Sequence, residues 1–345
     1  MRSHGNLWSA YMLRLRRKRL LWRAFRKRRE LVRVSRKTNA IEPDDILLFA
    51  VVRNEAHRLL WFLEHYRRLG VGHFLIVDNQ STDETVAFLA NQDDVSVWQS
   101  AASYKGARFG MDWLTALLWR YGTGHWTLCV DADELLIYPD WDSRNLNVLT
   151  EWLDGRDIPA MGALMLDLYP KGPIEYQSGD VGRNPVELLP WFDAYGYWAQ
   201  LQPKMQNLWL QGGPRARCFF TQAPERAPTL NKIPLVRWQR AFVYVNSTHN
   251  ALPRHLNRVY DTKGVQKPTG ALLHTKFLPG AAAHARSEKA RGEHFANAQA
   301  YADYYDAVAS NPNLWHDGSY KYEGWQQLER LGLMSSGDWC HRPGG

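Results

Sequence analysis

The chain has 345 residues, 45% of them hydrophobic and 23% charged, which excludes a disordered or fibrous protein and allows a substantial core. Its three cysteines (Cys129, Cys218, Cys340) are widely spaced, which excludes a disulfide scaffold or a cysteine-built metal knuckle and suits a reducing compartment. The net charge of +8 is segregated: residues 1–37 carry fourteen Lys or Arg against Glu30 alone, leaving a mildly acidic body at −5.

The basic arm comes first. On a helix, Leu13, Leu20, Leu21, Ala24, Phe25, Leu31 and Val32 share one side. With Trp22 beside them, they predict an element drawn to anionic membrane surfaces, the alternative being a solvated tail. Nucleic acid is disfavoured as a partner, because the body offers no matching basic face. No run of 18 apolar residues and no leader pattern is seen, so a cytoplasmic protein, peripheral on the inner membrane face, is expected.

Ile46 to Val52 is a continuous apolar run, read as a buried strand, and it ends in Arg53-Asn54-Glu55. Helical spacing follows from Ala56 to Leu69, stopped by Gly70 and Gly72. Phe74 to Val77 is a second strand, and behind it lies Asp78-Asn79-Gln80-Ser81-Thr82-Asp83-Glu84-Thr85, where Ser81 or Thr82 can cap a helix. Val95 to Trp98 reads as a third strand, and a helix is predicted around Asp112–Tyr121.

Next comes Trp126 to Ile137, an apolar strand interrupted by Asp131, Asp133 and Glu134. Paired carboxylates at a buried strand end repel each other unless a cation lies between them. A helix around Asn145–Leu153 and a strand from Ala163 to Tyr169 follow. The next hundred residues look irregular, like long acceptor-side loops, and residues 281–310 return to a helical pattern carrying Glu288, Arg291, Phe295, Tyr301 and Tyr304.

Strand and helix thus alternate over residues 46–137, which predicts an α/β fold with a mostly parallel sheet and helices on both faces. Ligands of such sheets bind beyond the C-terminal strand ends, where each polar cluster falls. The expected organisation is a basic arm over 1–40, a main domain over 41–310 with a donor half (45–140) and an acceptor half (141–310), and a tail over 311–345 packed on the domain.

Val52-Arg53-Asn54-Glu55, Val77 to Thr85 and Asp131-Ala132-Asp133 together resemble bacterial glycosyltransferases of the family 2 type. The resemblance covers roughly residues 45–305. It implies a GT-A fold, a nucleotide-sugar donor (a UDP-sugar first) and a saccharide or glycolipid acceptor in surface polysaccharide assembly. It also implies Mn²⁺ or Mg²⁺ on the Asp-x-Asp, with Asp133 as direct ligand and Asp131 at the ribose or at metal-bound water. Arg53, Asn54, Glu55, Asp78, Asn79, Ser81 and Asp83 are then expected around the donor nucleoside. His274 is a candidate third ligand, since imidazole suits Mn²⁺, and Arg217 and Lys276 are candidates for the diphosphate.

An inverting transfer needs a general base. Asp193 comes first, because its aromatic neighbours would shield it and raise its pKa, followed by Glu187 and Glu225. A nucleotidyltransferase is the alternative enzyme, weakened by the lack of a Gly-rich loop after the first strand. A catalytically silent, lectin-like protein using its sixteen Trp is the alternative from another class.

Overall fold

The computed structural model describes residues 4–176, 183–260, 266–291 and 302–340, so Phe295 and Tyr301 of the expected C-terminal helix lie outside the described residues. A helix, α1 (His4–Lys27), leads into β1 (Val32–Ser35), β2 (Ile46–Val52), α2 (Ala56–Arg68), β3 (Val71–Asp78), α3 (Thr85–Ala90) and β4 (Val95–Gln99). Then come α4 (Met111–Leu117), β5 (Trp126–Cys129), β6 (Glu134–Ile137), α5 (Leu146–Asp154) and β7 (Ala160–Asp167). Farther along are α6 (Gly213–Phe219), β8 (Asn231–Arg237), β9 (Gly270–His274), α7 (Ala281–Arg291) and α8 (Ala302–Ala309).

Nine strands form one sheet in the order β1-β4-β3-β2-β5-β8-β7-β9-β6. The strands from β4 through β3 and β2 to β5 are parallel, as are β7 and β9. β8 runs against both β5 and β7, and the edge strands β1 and β6 run against their neighbours. The fold is therefore α/β with a large mixed sheet in which six of nine strands point one way.

β2 shows why both faces are covered. Its residues are apolar throughout, and alternate side chains leave opposite faces. Leu48 and Ala50 pack with Leu59 and Phe62 of α2 and Leu149 of α5, whereas Leu47 and Phe49 pack with Trp113, Leu114 and Leu117 of α4. Each leucine or phenylalanine so removed from water stabilises the fold by about 1.5–3 kcal/mol.

Several sequence expectations are corrected. The apolar stretch from Trp126 to Ile137 is two strands, because residues 130–133 turn between them, with Glu134 N donating to Asp131 O at 3.1 Å. Neither Ser81 nor Thr82 caps α3; Asp83 Oδ1 accepts from Thr85 N at 3.0 Å instead. The irregular hundred residues conceal β8, a strand in the middle of the sheet. Pro234 disguises it, and the pairing of β8 with β7 shifts register between Lys232 and Leu235. An antiparallel hairpin (Tyr197–Gln202 with Asn207–Gly212) lies in the same region.

The N-terminal arm is a packed element. Leu13, Leu20 and Ala24 are buried, the first two in a cluster with Val243, Val245 and Leu252. Arg23 Nη2 lies 3.0 Å from Asp112 Oδ2 on α4, and Trp113 Nε1 donates to Glu30 Oε2 at 2.9 Å. Leu20, expected to face a membrane, faces the body. At the other end Trp339 is buried and its Nε1 donates to Pro139 O at 2.9 Å.

The connection between β5 and β6 bends the whole sheet. The two strands are four places apart in it, which on a flat sheet is about 19 Å, whereas only residues 130–133 join them. That turn cannot span such a gap, so the sheet curls until the ends of β5 and β9 come together. Val130 N donates to Phe49 O of β2 at 3.3 Å, and Asp133 O accepts from Thr275 N, just past β9, at 2.8 Å.

Candidate active site

β2, β3, β5, β7 and β9 end on the same side of the sheet, and a cavity of about 1220 Å³ opens there. Its lining includes Arg53, Asn54 and Glu55 after β2, Asn79 after β3, Asp131 and Asp133 after β5, and His274 and Lys276 at the end of β9. Sequence reasoning placed all eight at the site, and the fold brings them together.

Two chains of charge organise the floor. In the first, His274 Nε2 is 3.1 Å from Asp133 Oδ2 and its Nδ1 is 2.6 Å from Asp167 Oδ1. Asp167 Oδ2 in turn lies 2.7 Å from Arg215 Nε on α6. Burial disfavours charge on each carboxyl, but His274, Arg58 and Lys276 hold Asp133 well below the usual range. Arg215 and His274 hold Asp167 below it too. Burial also opposes the imidazolium of His274, yet the two carboxylates raise its pKa.

The second chain is centred on Lys232, buried on β8. Its Nζ is 2.8 Å from Glu134 Oε1 and 3.1 Å from Asp131 Oδ2. Burial works against the ammonium, but these two carboxylates keep it charged and raise its pKa. Asp131 remains half exposed to the cavity, with 53% of its side chain accessible, whereas Glu134 is fully buried.

Glu55 sits apart from both chains. Burial pushes its carboxyl up to about 7, against the pull of Arg58, whose Nε is 2.8 Å from Oε2. The charges of Asp133 and Asp131 add to the rise. Arg58 Nη1 also donates to Thr275 O at 3.1 Å, pinning α2 to the end of β9.

The loops are knit by Asn54, whose φ of 53° is a left-handed conformation that Asn tolerates well. Asn54 N donates to Ser81 Oγ at 2.8 Å, and Asn54 Oδ1 accepts from Thr82 N at 2.7 Å. Buried Asp78 accepts from Ser81 N and from Gln99 Nε2, and Asp83 Oδ2 accepts from Ala56 N. Asp78, Ser81 and Asp83, expected at the nucleoside, thus shape the loop and do not line the cavity.

The expected bases are elsewhere. Asp193 forms a double contact with Arg217, Nε to Oδ2 at 2.9 Å and Nη2 to Oδ1 at 3.0 Å, and also accepts from Tyr169 Oη. This pair, expected at the base and at the diphosphate, lies outside the cavity lining. Glu187 is exposed, 3.9 Å from Arg183, and Glu225 is exposed too. Neither lines the cavity.

Lys232, Asp167, Arg215 and Arg58 are the residues the sequence reading missed. Asp167 had a signal, since it ends an apolar run as Asp78 and Asp131 do. Lys232 and Arg215 had none, because their partners lie far away in sequence, and Arg58, three residues after Glu55, reads as an ordinary pair along a helix.

Among the described residues, no three His, Cys, Asp or Glu side chains are gathered so as to hold a metal ion by themselves. Asp133 and His274 present one oxygen and one nitrogen side by side, with Asp167 holding the far nitrogen of the ring and Asp131 on the same turn two residues before Asp133. Such a donor set fits a hard divalent cation that takes its remaining ligands from water and substrate phosphates. Compared with protein-family models the chain matches none, and a search against curated proteins found no match either.

Proposed function

We propose that the protein is a metal-dependent glycosyltransferase of the GT-A type, moving a sugar from a nucleoside diphosphate sugar to an acceptor hydroxyl. The observation that carries this reading is the Asp133–His274–Asp167 chain, with Asp131 beside it, at the floor of a cavity large enough for a donor and an acceptor. Asp133 and His274 would hold Mn²⁺ or Mg²⁺, which when bound neutralises charge developing on the departing diphosphate.

The chain's own residues do the rest. Asp167 accepts the Nδ1 proton of His274, which fixes the ring and leaves Nε2 turned to Asp133. Lys276 and Arg53 supply positive charge for the diphosphate, while Asn54 and Asn79 spend their amides on the loops that frame the donor end of the cavity, Asn54 Oδ1 on Thr82 N and Asn79 Nδ2 on Ser100 O. The proton-accepting role passes from Asp193 to Glu55, which lines the cavity and is poised near neutrality. Asp131, tied to Lys232, keeps its exposed side to the donor.

A thermal-shift screen of nucleotide sugars with and without Mn²⁺, followed by a transfer assay on the donor that stabilises most, tests the proposal. Metal-dependent stabilisation by at least one donor is expected. Indifference to every nucleotide sugar, or full transfer in excess chelator, would sink it.

A further inference from the structure

Helix α1 has two apolar faces. At about 100° per residue, Leu13, Leu20 and Ala24 fall within about 40° of one another, and these are the residues buried against the body. Trp8, Tyr11, Met12, Leu15, Trp22 and Phe25 fill an arc of about 140° on the opposite side, and all six are exposed. Trp8 is 66% accessible and Trp22 60%, which is unusual for side chains so large. Lys18, Arg19 and Arg26 share that outward side, all exposed, with Arg14 and Arg16 on its flanks.

The docked face already satisfies the packing of the helix on the body, so the outward stripe has no part in holding the fold together. We propose that this stripe is a docking surface for an anionic lipid bilayer, with α1 lying in the plane of the membrane. Two features commit it to that occupant. Interfacial lipid suits Trp and Tyr rings, which bury an apolar body and keep a polar edge wet. Anionic headgroups complement the Lys and Arg interleaved with those rings, while the acidic body supplies no competing attraction for lipid. No helix among the described residues is long and apolar enough to cross a membrane, so α1 lies on the surface.

The position of the helix gives the docking a purpose. Arg16 and Leu20 line the cavity, so α1 is both the outward face and part of the cavity wall. A bilayer against the outer stripe therefore lies within about one helix diameter, roughly 10 Å, of the cavity lining. If the transferase reading holds, an acceptor anchored in that leaflet reaches the site without leaving the membrane. The docking itself does not depend on that reading.

Sedimentation of the full chain with vesicles of phosphatidylcholine, with and without about one-third phosphatidylglycerol, tests the inference, and it reads no chemistry. Binding to the anionic vesicles only, weakening as salt rises, is expected. Trp8→Glu/Trp22→Glu is expected to lose at least about tenfold in vesicle affinity with an unchanged melting temperature. Leu15→Glu provides an independent second variant. Equal binding by wild type and both variants overturns the proposal. So does a variant-sensitive dimer in sizing without vesicle binding, which assigns the stripe to a second copy. Capture of a short RNA duplex in place of vesicles overturns it too.

Discussion

His274 and Asp167 face each other across neighbouring parallel strands, Nδ1 to Oδ1 at 2.6 Å, at the paired register positions that end β9 and β7. The contact fixes the ring, and removing it frees the imidazole to rotate or change tautomer. Asp167→Asn is expected to lower Mn²⁺ affinity about 10- to 100-fold, read by calorimetry well below its melting temperature, which falls because buried Arg215 loses its counter-charge. Asp133→Asn is expected to abolish metal-dependent donor binding altogether. Undiminished Mn²⁺ affinity in Asp167→Asn would show that the carboxylate merely fills space.

Lys232 is a buried cation whose two carboxylates, Asp131 in the turn and Glu134 at the start of β6, lie about one hundred residues earlier. Truncating it leaves Glu134 fully buried with no counter-charge. Lys232→Met is therefore expected to destabilise by about 3–5 kcal/mol, measured by urea unfolding. Adding Glu134→Gln removes the orphaned charge and should restore much of the loss. Failure of the double variant to recover would place the cost in packing and not in charge.

Glu55 gives a pH signature. Its carboxyl is raised from an ordinary 4.5 to about 7 in the folded state. Between those values the folded chain holds a proton that the unfolded chain has released, so stability falls as pH rises from 4.5 to 7. Glu55→Gln should remove that fall, a gain on the order of 3 kcal/mol at pH 8, visible in melting temperatures taken in chelator. Its kcat should collapse while its donor KM holds, as expected when a proton acceptor is lost. A variant with the wild-type pH profile and the wild-type rate would deny Glu55 both roles.

Asp193 serves as the contrast. Its substitution breaks the paired contact with Arg217, so Asp193→Asn is expected to lose about 1–3 kcal/mol of stability. Transfer should continue at close to the native rate below the lowered melting temperature. A stable Asp193→Asn protein that transfers nothing would return the base to this position.

The legible parts of the fold were those whose signal is local. β2 and β3 are buried on both faces, so they read as unbroken apolar runs, and each ends where polar residues begin. β8 was illegible because it carries Pro234 and a buried lysine, which is neutralised only by carboxylates distant in sequence. The buried stripe of α1 was visible in its spacing, but apolar spacing does not say whether protein or lipid covers it. Asp193 misled for a related reason: its aromatic neighbours suggested a shielded acid, while Arg217, 24 positions on, already held it.

The short turn at residues 130–133 also has a mechanical meaning. It is a tie rod drawn across the mouth of a curled sheet, fastened to β2 at Phe49 and to the end of β9 at Thr275. A cargo that grips Asp131 and Asp133 together therefore pulls on both limbs of the curl at once. Both carboxylates ride on one four-residue turn closed on itself by Glu134 N and Asp131 O, so they travel together when either limb moves.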